Sequence, residues 1–149
     1  MKSPLIEKIE VSFYKIPTDA PESDGTYEWD STTIVIVEAA AGDVCSLGYT
    51  YADEATAKLI DSHLKQVVLG RDALSPSAAF VAMTESIRNL GRPGICSMAI
   101  SAIDTALWDL KARLLGLSLV RLFGQVREAM PLYGSGGFTT YDHHQLRDQ

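Results

Sequence analysis

The chain has 149 residues, 13 Lys and Arg against 19 Asp and Glu for a net charge of −6, and 46% apolar residues. This is the balance of a globular domain, and it is too acidic to neutralise a row of duplex phosphates. Apolar runs such as Ile34–Val37 fall far short of the ~20 residues of a membrane span, and a complete eight-stranded α/β barrel needs ~200–250 residues, more than are present. Neither nucleic acid nor membrane is therefore expected as a partner.

The first half reads as strands. Ile9, Val11 and Phe13 alternate with Glu10 and Ser12, which predicts a half-buried strand over Ile9–Phe13. Thr32–Ala39 is β-branched and nearly continuous, as a central strand should be. Ala41-Gly42-Asp43 signals a turn, and Val44–Thr50 returns antiparallel. Pro17–Asp30, rich in Pro, Asp, Glu, Ser and Gly, reads as a long connecting loop, a type that is usually functional or disordered.

The second half reads as helices. Ile60, Leu64, Val67 and Val68 share one helical face, and Gly70 supplies a stop. Ser75 is an N-cap candidate ahead of Pro76, with Phe80, Met83, Ile87 and Leu90 as the buried stripe. Gly91-Arg92-Pro93-Gly94 breaks the chain and lacks the spacing of a phosphate loop. Ile95–Leu117 reads as a long helix apolar over much of its circumference, after which Ser118 caps a short helix ended by Gly124. Met130–Tyr133 is a strand candidate with no partner in the chain, followed by a polar tail, Phe138–Gln149. The predicted fold is α+β: a three-stranded antiparallel meander followed by three to four helices. No internal repeat is visible. Cys45 and Cys96 have no CxxC spacing and sit among apolar neighbours, which reads as free buried thiols in a reducing compartment, with a disulfide or reactive thiol as the alternative. Met1-Lys2-Ser3-Pro4 is not followed by a signal-peptide stretch, so a cytoplasmic location is expected.

The segment Ala99–Gly124 (AISAIDTALWDLKARLLGLSLVRLFG) resembles the long helix and following short helix of the N-terminal domain in the mandelate racemase and muconate-lactonizing branch of the enolase superfamily. The small residues Ala99, Ser101, Ala102 and Ala106, then Asp104, Asp109, Ala112 and Arg113, then Ser118-Leu119 and Leu122-Phe123-Gly124, all fall at that family's spacing. Gly48-Tyr49-Thr50-Tyr51 and Pro131-Leu132-Tyr133 agree in order, the latter as the first barrel strand. Tyr49-Thr50-Tyr51 and Ser135-Gly136-Gly137-Phe138 look closer to the mandelate-racemase-like sugar-acid enzymes. The resemblance implies an enolase-like capping domain over residues 1–127 and the start of a C-terminal barrel domain over residues 128–149. It also implies Mg²⁺-dependent proton abstraction alpha to a carboxylate, with an enediolate stabilised by metal and electrophiles.

In that family the lysine bases, metal ligands and His–Asp pair lie on later barrel strands. The lysines here are Lys2, Lys8, Lys15, Lys58, Lys65 and Lys111, with no Lys-x-Lys, so no catalytic residue and no metal ligand carries over. The sequence stops at Gln149, about where a second barrel strand would begin, and is expected to be inactive alone. Mg²⁺ belongs to the parent family and no cofactor is expected in this chain.

The resemblance places Ala20–Asp30 at the family's mobile loop over the active site. Tyr27 and Trp29 would then wall a pocket, and Ser23 and Asp24 could reach a substrate hydroxyl. Alternatively Asp24-Gly25 is only a turn and Trp29 only an anchor. Tyr49 and Tyr51 sit at the second family loop on one face of the chain, either lining the pocket or packing in the core with a hydroxyl at the rim. Asp104 and Asp109, five positions apart on a helix, point roughly 140° apart and cannot share a metal ion. Asp109 pairs with Arg113, and Asp104 is expected to accept hydrogen bonds from a neighbouring loop. His63 reads as surface, and Asp142-His143-His144 as a solvated tail.

The expected function is a capping, substrate-specificity domain of a racemase or acid-sugar dehydratase. The alternatives are a non-catalytic oligomerising module and a truncated, inactive product. Expected partners are a second copy of the chain or a separate barrel-bearing chain, with a carboxylate, acid-sugar-like substrate only if the barrel is supplied.

Overall fold

Alternating inward residues build the sheet. In the computed structural model, which describes residues 3–134 and 136–148, strands β1 (Lys8–Ser23), β2 (Glu28–Ala41) and β3 (Val44–Thr50) form an antiparallel meander in the order β1-β2-β3. The β2–β3 register runs from Val35 opposite Thr50 to Ala41 opposite Val44, closed by a turn in which Gly42 takes φ +56°. Ile9, Val35, Val37, Ala39 and Ala41 point into the core. The meander and the helices after it bear out the α+β expectation.

Helix α4 (Ile95–Leu114) supplies the other wall of that core, through Ala99, Ala102, Ile103, Ala106, Leu107 and Leu110. Its small residues matter because β3 comes very close. A Cβ on Gly48 would overlap the Ala102 carbonyl oxygen and lie 2.5 Å from the Ala106 nitrogen, so only glycine fits. Around this pair lie α1 (Glu54–Leu59), α2 (Lys65–Val68) and α3 (Pro76–Ser86), then α5 (Leu119–Phe123); a single turn, α6 (Gln145–Asp148), follows later in the chain. A π-helical turn, Ile60–Leu64, joins α1 to α2 and keeps Ile60, Leu64 and Val68 fully buried. Among the described residues no helix is long and apolar enough to cross a membrane.

Several local expectations are corrected. Pro17–Asp30 is mostly strand rather than loop, because β1 is an edge strand. Pro17 and Pro21 lie in this edge strand, where prolines are tolerated far better than in a central one. Helix α4 ends at Leu114 rather than Leu117. Gly116, at φ +65°, donates to Arg113 O, and the Leu117 N–H donates to Ala112 O at 2.9 Å, a Schellman closure. Ser75 and Ser118 stand at cap positions, but their hydroxyls do not bond their helices, and Ser75 Oγ donates to Asp72 Oδ2 instead. Asp53, by contrast, caps α1, accepting the Ala55 N–H at 2.9 Å. Leu90 is exposed because α3 has already ended. His63 is half-buried, with Nε2 3.3 Å from Ser86 O. Cys45 is exposed while Cys96 is buried, since β3 turns Cys45 outward and Ser46 inward. Met130–Tyr133 forms no strand and leaves Met130, Leu132 and Tyr133 in solvent, for want of a neighbouring strand to pair with among the described residues. Ser135 lies outside the described residues.

The chain groups into two compact units. One comprises Met1–Tyr14 with Thr33–Gly124, and the other Lys15–Thr32 with Gln125–Gln149.

Candidate functional site

In the smaller unit, Asp24 organises the hairpin tip. Its Oδ1 accepts from the Thr26 hydroxyl at 2.6 Å and from the Thr26 and Tyr27 N–H groups at 2.8 and 2.9 Å. The Thr26 hydroxyl and then these amides favour the ionised form, so the carboxyl is held below its ordinary range. Ser23 Oγ accepts the Gly25 N–H at 3.1 Å, and Gly25 sits at φ +88°. Ser23 and Asp24 therefore hold the turn.

The turn presents two stacked rings. Tyr27 is 70% exposed and lies 6.2 Å from the half-buried Trp29 with an interplanar angle of 16°. Trp29 is pinned on two sides: Nε1 donates to Glu22 Oε2 at 2.6 Å, and Phe138 meets the ring edge-on at 5.5 Å. Phe138 in turn contacts Tyr141, and Thr139 bonds Ser23 O through both its N–H and its hydroxyl at 2.9 Å. Part of the tail expected to be solvated is thus tied to the hairpin by ring contacts, and Asp142 Oδ1 caps its helical turn by accepting the His144 and Gln145 N–H groups. A cleft of about 530 Å³ beside the rings is lined by Lys15, Pro21, Tyr27, Glu28, Trp29, Asp30 and Ser31. It offers one cation, carboxylates, a hydroxyl and aromatic faces, a set suited to a polar, hydroxylated ligand.

In the larger unit, Tyr49 and Tyr51 stand at the end of β3. They are 52% and 67% exposed and meet edge-to-face at 6.1 Å, so neither packs in the core. The three residues before Tyr49 are held by α4. Ser46 Oγ donates to Ala106 O at 2.8 Å, the Leu47 N–H donates to Asp109 Oδ2 at 3.0 Å, and Gly48 makes the close approach described above. Arg113 Nε reaches the same Asp109 oxygen at 2.7 Å, as the i, i+4 spacing predicts.

Asp104 departs from expectation. Its Oδ1 is buried with no hydrogen-bond partner among the described residues, in a cavity of about 140 Å³ lined also by Phe80, Arg92, Ser97, Ile100 and Ser101. No loop donor reaches it because the segment before α4 turns its own bonds elsewhere: Arg92 O accepts from Ser97, and the Arg92 guanidinium lies over the Phe80 ring. Burial pushes the Asp104 carboxyl up. Among the described residues no three His, Cys, Asp or Glu side chains gather as a metal site.

Glu22, Phe138 and the Asp109–Leu47 bond were not singled out from sequence. Glu22 is one acid among many in a polar stretch. The partners of Phe138 and Leu47 lie 109 and 62 positions away (138 − 29 and 109 − 47).

Residues 10–124 match the family described as mandelate racemase / muconate lactonizing enzyme, N-terminal domain. The 3,6-anhydro-alpha-L-galactonate cycloisomerase of Streptomyces coelicolor is 32% identical over 138 residues, covering 89% of this chain and 38% of that enzyme. A mandelate racemase/muconate lactonizing enzyme-like protein from Rubrobacter xylanophilus superposes with a TM-score of 0.93 at 52% identity, over 97% of this chain and 40% of that one. The L-talarate/galactarate dehydratase of Salmonella typhimurium, liganded with Mg and L-lyxarohydroxamate, superposes with a TM-score of 0.72 at 30% identity, over 85% of this chain and 35% of that one. This chain therefore spans well under half the length of each. By the match over residues 10–124 and these relatives, the chain belongs to the mandelate racemase / muconate lactonizing enzyme family and carries its N-terminal domain.

Proposed function

We propose that this chain is the capping, substrate-specificity domain of an enzyme that abstracts a proton alpha to the carboxylate of an acid sugar, of the racemase or dehydratase type. The acid, the base and the metal ligands are supplied by a barrel domain, not by residues described here. The observation that carries this reading is the pair of exposed aromatic edges, Tyr27 with Trp29 and Tyr49 with Tyr51, on a domain of this family. In the smaller unit the Tyr27 and Trp29 rings exclude water from a bound substrate and the Tyr27 hydroxyl bonds its hydroxyl groups, while Lys15 provides a cation for a carboxylate. The Salmonella relative processes sugar diacids by name and the Streptomyces relative a sugar acid, which supports the substrate class.

The partner on this reading is a barrel-bearing polypeptide. Val126, Met130, Leu132 and Tyr133 are each at least 75% exposed, a run of apolar side chains suited to being covered by one. The same run would serve a second copy of the chain, the basis of the non-catalytic oligomer as a second reading. Native mass spectrometry of untagged protein from its own cells separates the two. Barrel-sized mass, in the same or an accompanying chain, with turnover of an acid-sugar panel in Mg²⁺, is the expected result. Only multiples of the 16.2 kDa chain, without turnover, would withdraw the enzymatic reading.

A further inference from the structure

We propose that Asp109 is a positioning residue for the Tyr49–Tyr51 pair, setting the place of these two rings through its bond to the Leu47 amide on the open edge of β3. The proposal rests on the reading of those tyrosines as pocket walls, but its physical core is independent of it. Strand β3 is an edge of the sheet, so its amides alternate between β2 and the open side. Leu47 is opposite Glu38 in the register, yet its N–H donates to Asp109 Oδ2 at 3.0 Å rather than across the ladder. An edge amide that would otherwise meet water is thus fastened to a helix by a charge-assisted bond.

The fastening sits between two others. Ser46 Oγ bridges Ala39 O and Ala106 O at 3.1 and 2.8 Å, and Gly48 lies directly against the α4 backbone at Ala102 and Ala106. Three consecutive residues are therefore referenced to α4, and the next residue is Tyr49. Tyr49 is paired with Ile36 of β2, the strand ends after Thr50, and Tyr51 is held in the pair by its edge-to-face contact with Tyr49. Of the three anchors, Gly48 sets how near the strand approaches the helix, and the Ser46 hydroxyl bonds α4 on the buried face. The Asp109 bond alone is directional along the free edge and resists sliding or fraying of the last residues. Arg113, binding the same oxygen at 2.7 Å, holds the carboxylate in the orientation that leaves it facing Leu47.

The test compares Asp109→Ala, Asp109→Asn and Arg113→Leu in the 149-residue protein. Amide exchange is read at Leu47, with Met83 in α3 as the control, and ¹⁹F spectra are read from fluorotyrosine at Tyr49 and Tyr51. Asp109→Ala is expected to speed Leu47 exchange roughly tenfold or more. It should also shift both fluorotyrosine signals while leaving Met83 exchange nearly unchanged. Asp109→Asn, whose carboxamide oxygen still accepts, should restore most of the protection and both signals. Arg113→Leu should give a partial shift of the same sign. Uniform acceleration that includes Met83, unmoved fluorotyrosine signals, or an Asn variant no better than Ala would each overturn the proposal. Should the Ala variant fail to fold, the Asn and Leu variants still decide it. A final arm uses the native assembly with the acid-sugar panel. If Asp109→Ala moves the rings there while the KM values, and their ranking across the panel, stay as in the parent, the positioning stands and the pocket reading of the tyrosines fails.

Discussion

Tyr49, near the end of β3, and Tyr27, at the tip of the β1–β2 hairpin, are both exposed tyrosines, but they owe their positions to different physics. Tyr49 follows three residues locked to α4 through backbone proximity, a buried Ser46 hydroxyl bond and the Leu47–Asp109 bond. Tyr27 sits on a turn held by its own neighbours, Ser23, Asp24 and Thr26, and leans on a tryptophan. The first arrangement is set by small residues and tolerates almost no added volume. The second is made of local hydrogen bonds and ring faces, and can be weakened piecewise without unfolding the sheet. One edge is thus built to stay and the other is free to adjust.

The sharpest way to break the first arrangement is Gly48→Ala. Its methyl has no room against Ala102 and Ala106, and over-packing of this kind costs about 3 kcal/mol or more. Chemical denaturation should show a large drop in midpoint, and a change under 1 kcal/mol would mean that the strand shifts away from α4 freely. On the second arrangement, Trp29→Ala removes two ring contacts and the Glu22 bond, a local loss of about 1–2 kcal/mol. Limited proteolysis should cut near Asp24–Tyr27 several-fold faster while the global unfolding midpoint hardly moves. A matching fall in that midpoint would tie the tip to the global fold.

Charge changes are smaller and depend on pH. The folded-state value of Asp104 is raised, so the native state holds its proton more tightly than the unfolded chain. Stability from this group is complete below about pH 4 and is lost as pH rises through the folded value. Asp104→Asn should therefore raise the thermal midpoint near neutral pH and change it little in acid. A variant less stable at pH 7 would show that the ionised carboxylate has a partner. Asp24 has the opposite sign: its lowered value contributes stability above the ordinary carboxylate range, lost as pH falls through the folded value. Asp24→Asn should loosen only the turn, seen as line broadening at Thr26 and Tyr27 above that range and no difference well below it.

Long patterned stretches were legible in the chain. The β-branched run became β2, the Val44–Thr50 return became β3 residue for residue, and the apolar stripe centred on Ile103 became α4. The aromatic residues of the two loops were legible as exposed features through the resemblance. Their surroundings were not. Pro17 and Pro21 looked like breakers because nothing local says that β1 is an edge, and Cys45 looked buried because its neighbours in sequence lie on the other face of β3.

Sequence by itself settled the types of the strongly patterned elements, the α+β class and the family, because hydrophobic period and a dense run of small residues are local or linear properties. Tertiary structure alone decided the long-range polar partners: Glu22 on Trp29, Asp109 on Leu47, and Asp104 Oδ1 buried with no donor among the described residues. A hydrogen bond depends on distance and direction between atoms far apart along the chain, and it is packing of the sheet against α4 that brings Asp109 to Leu47.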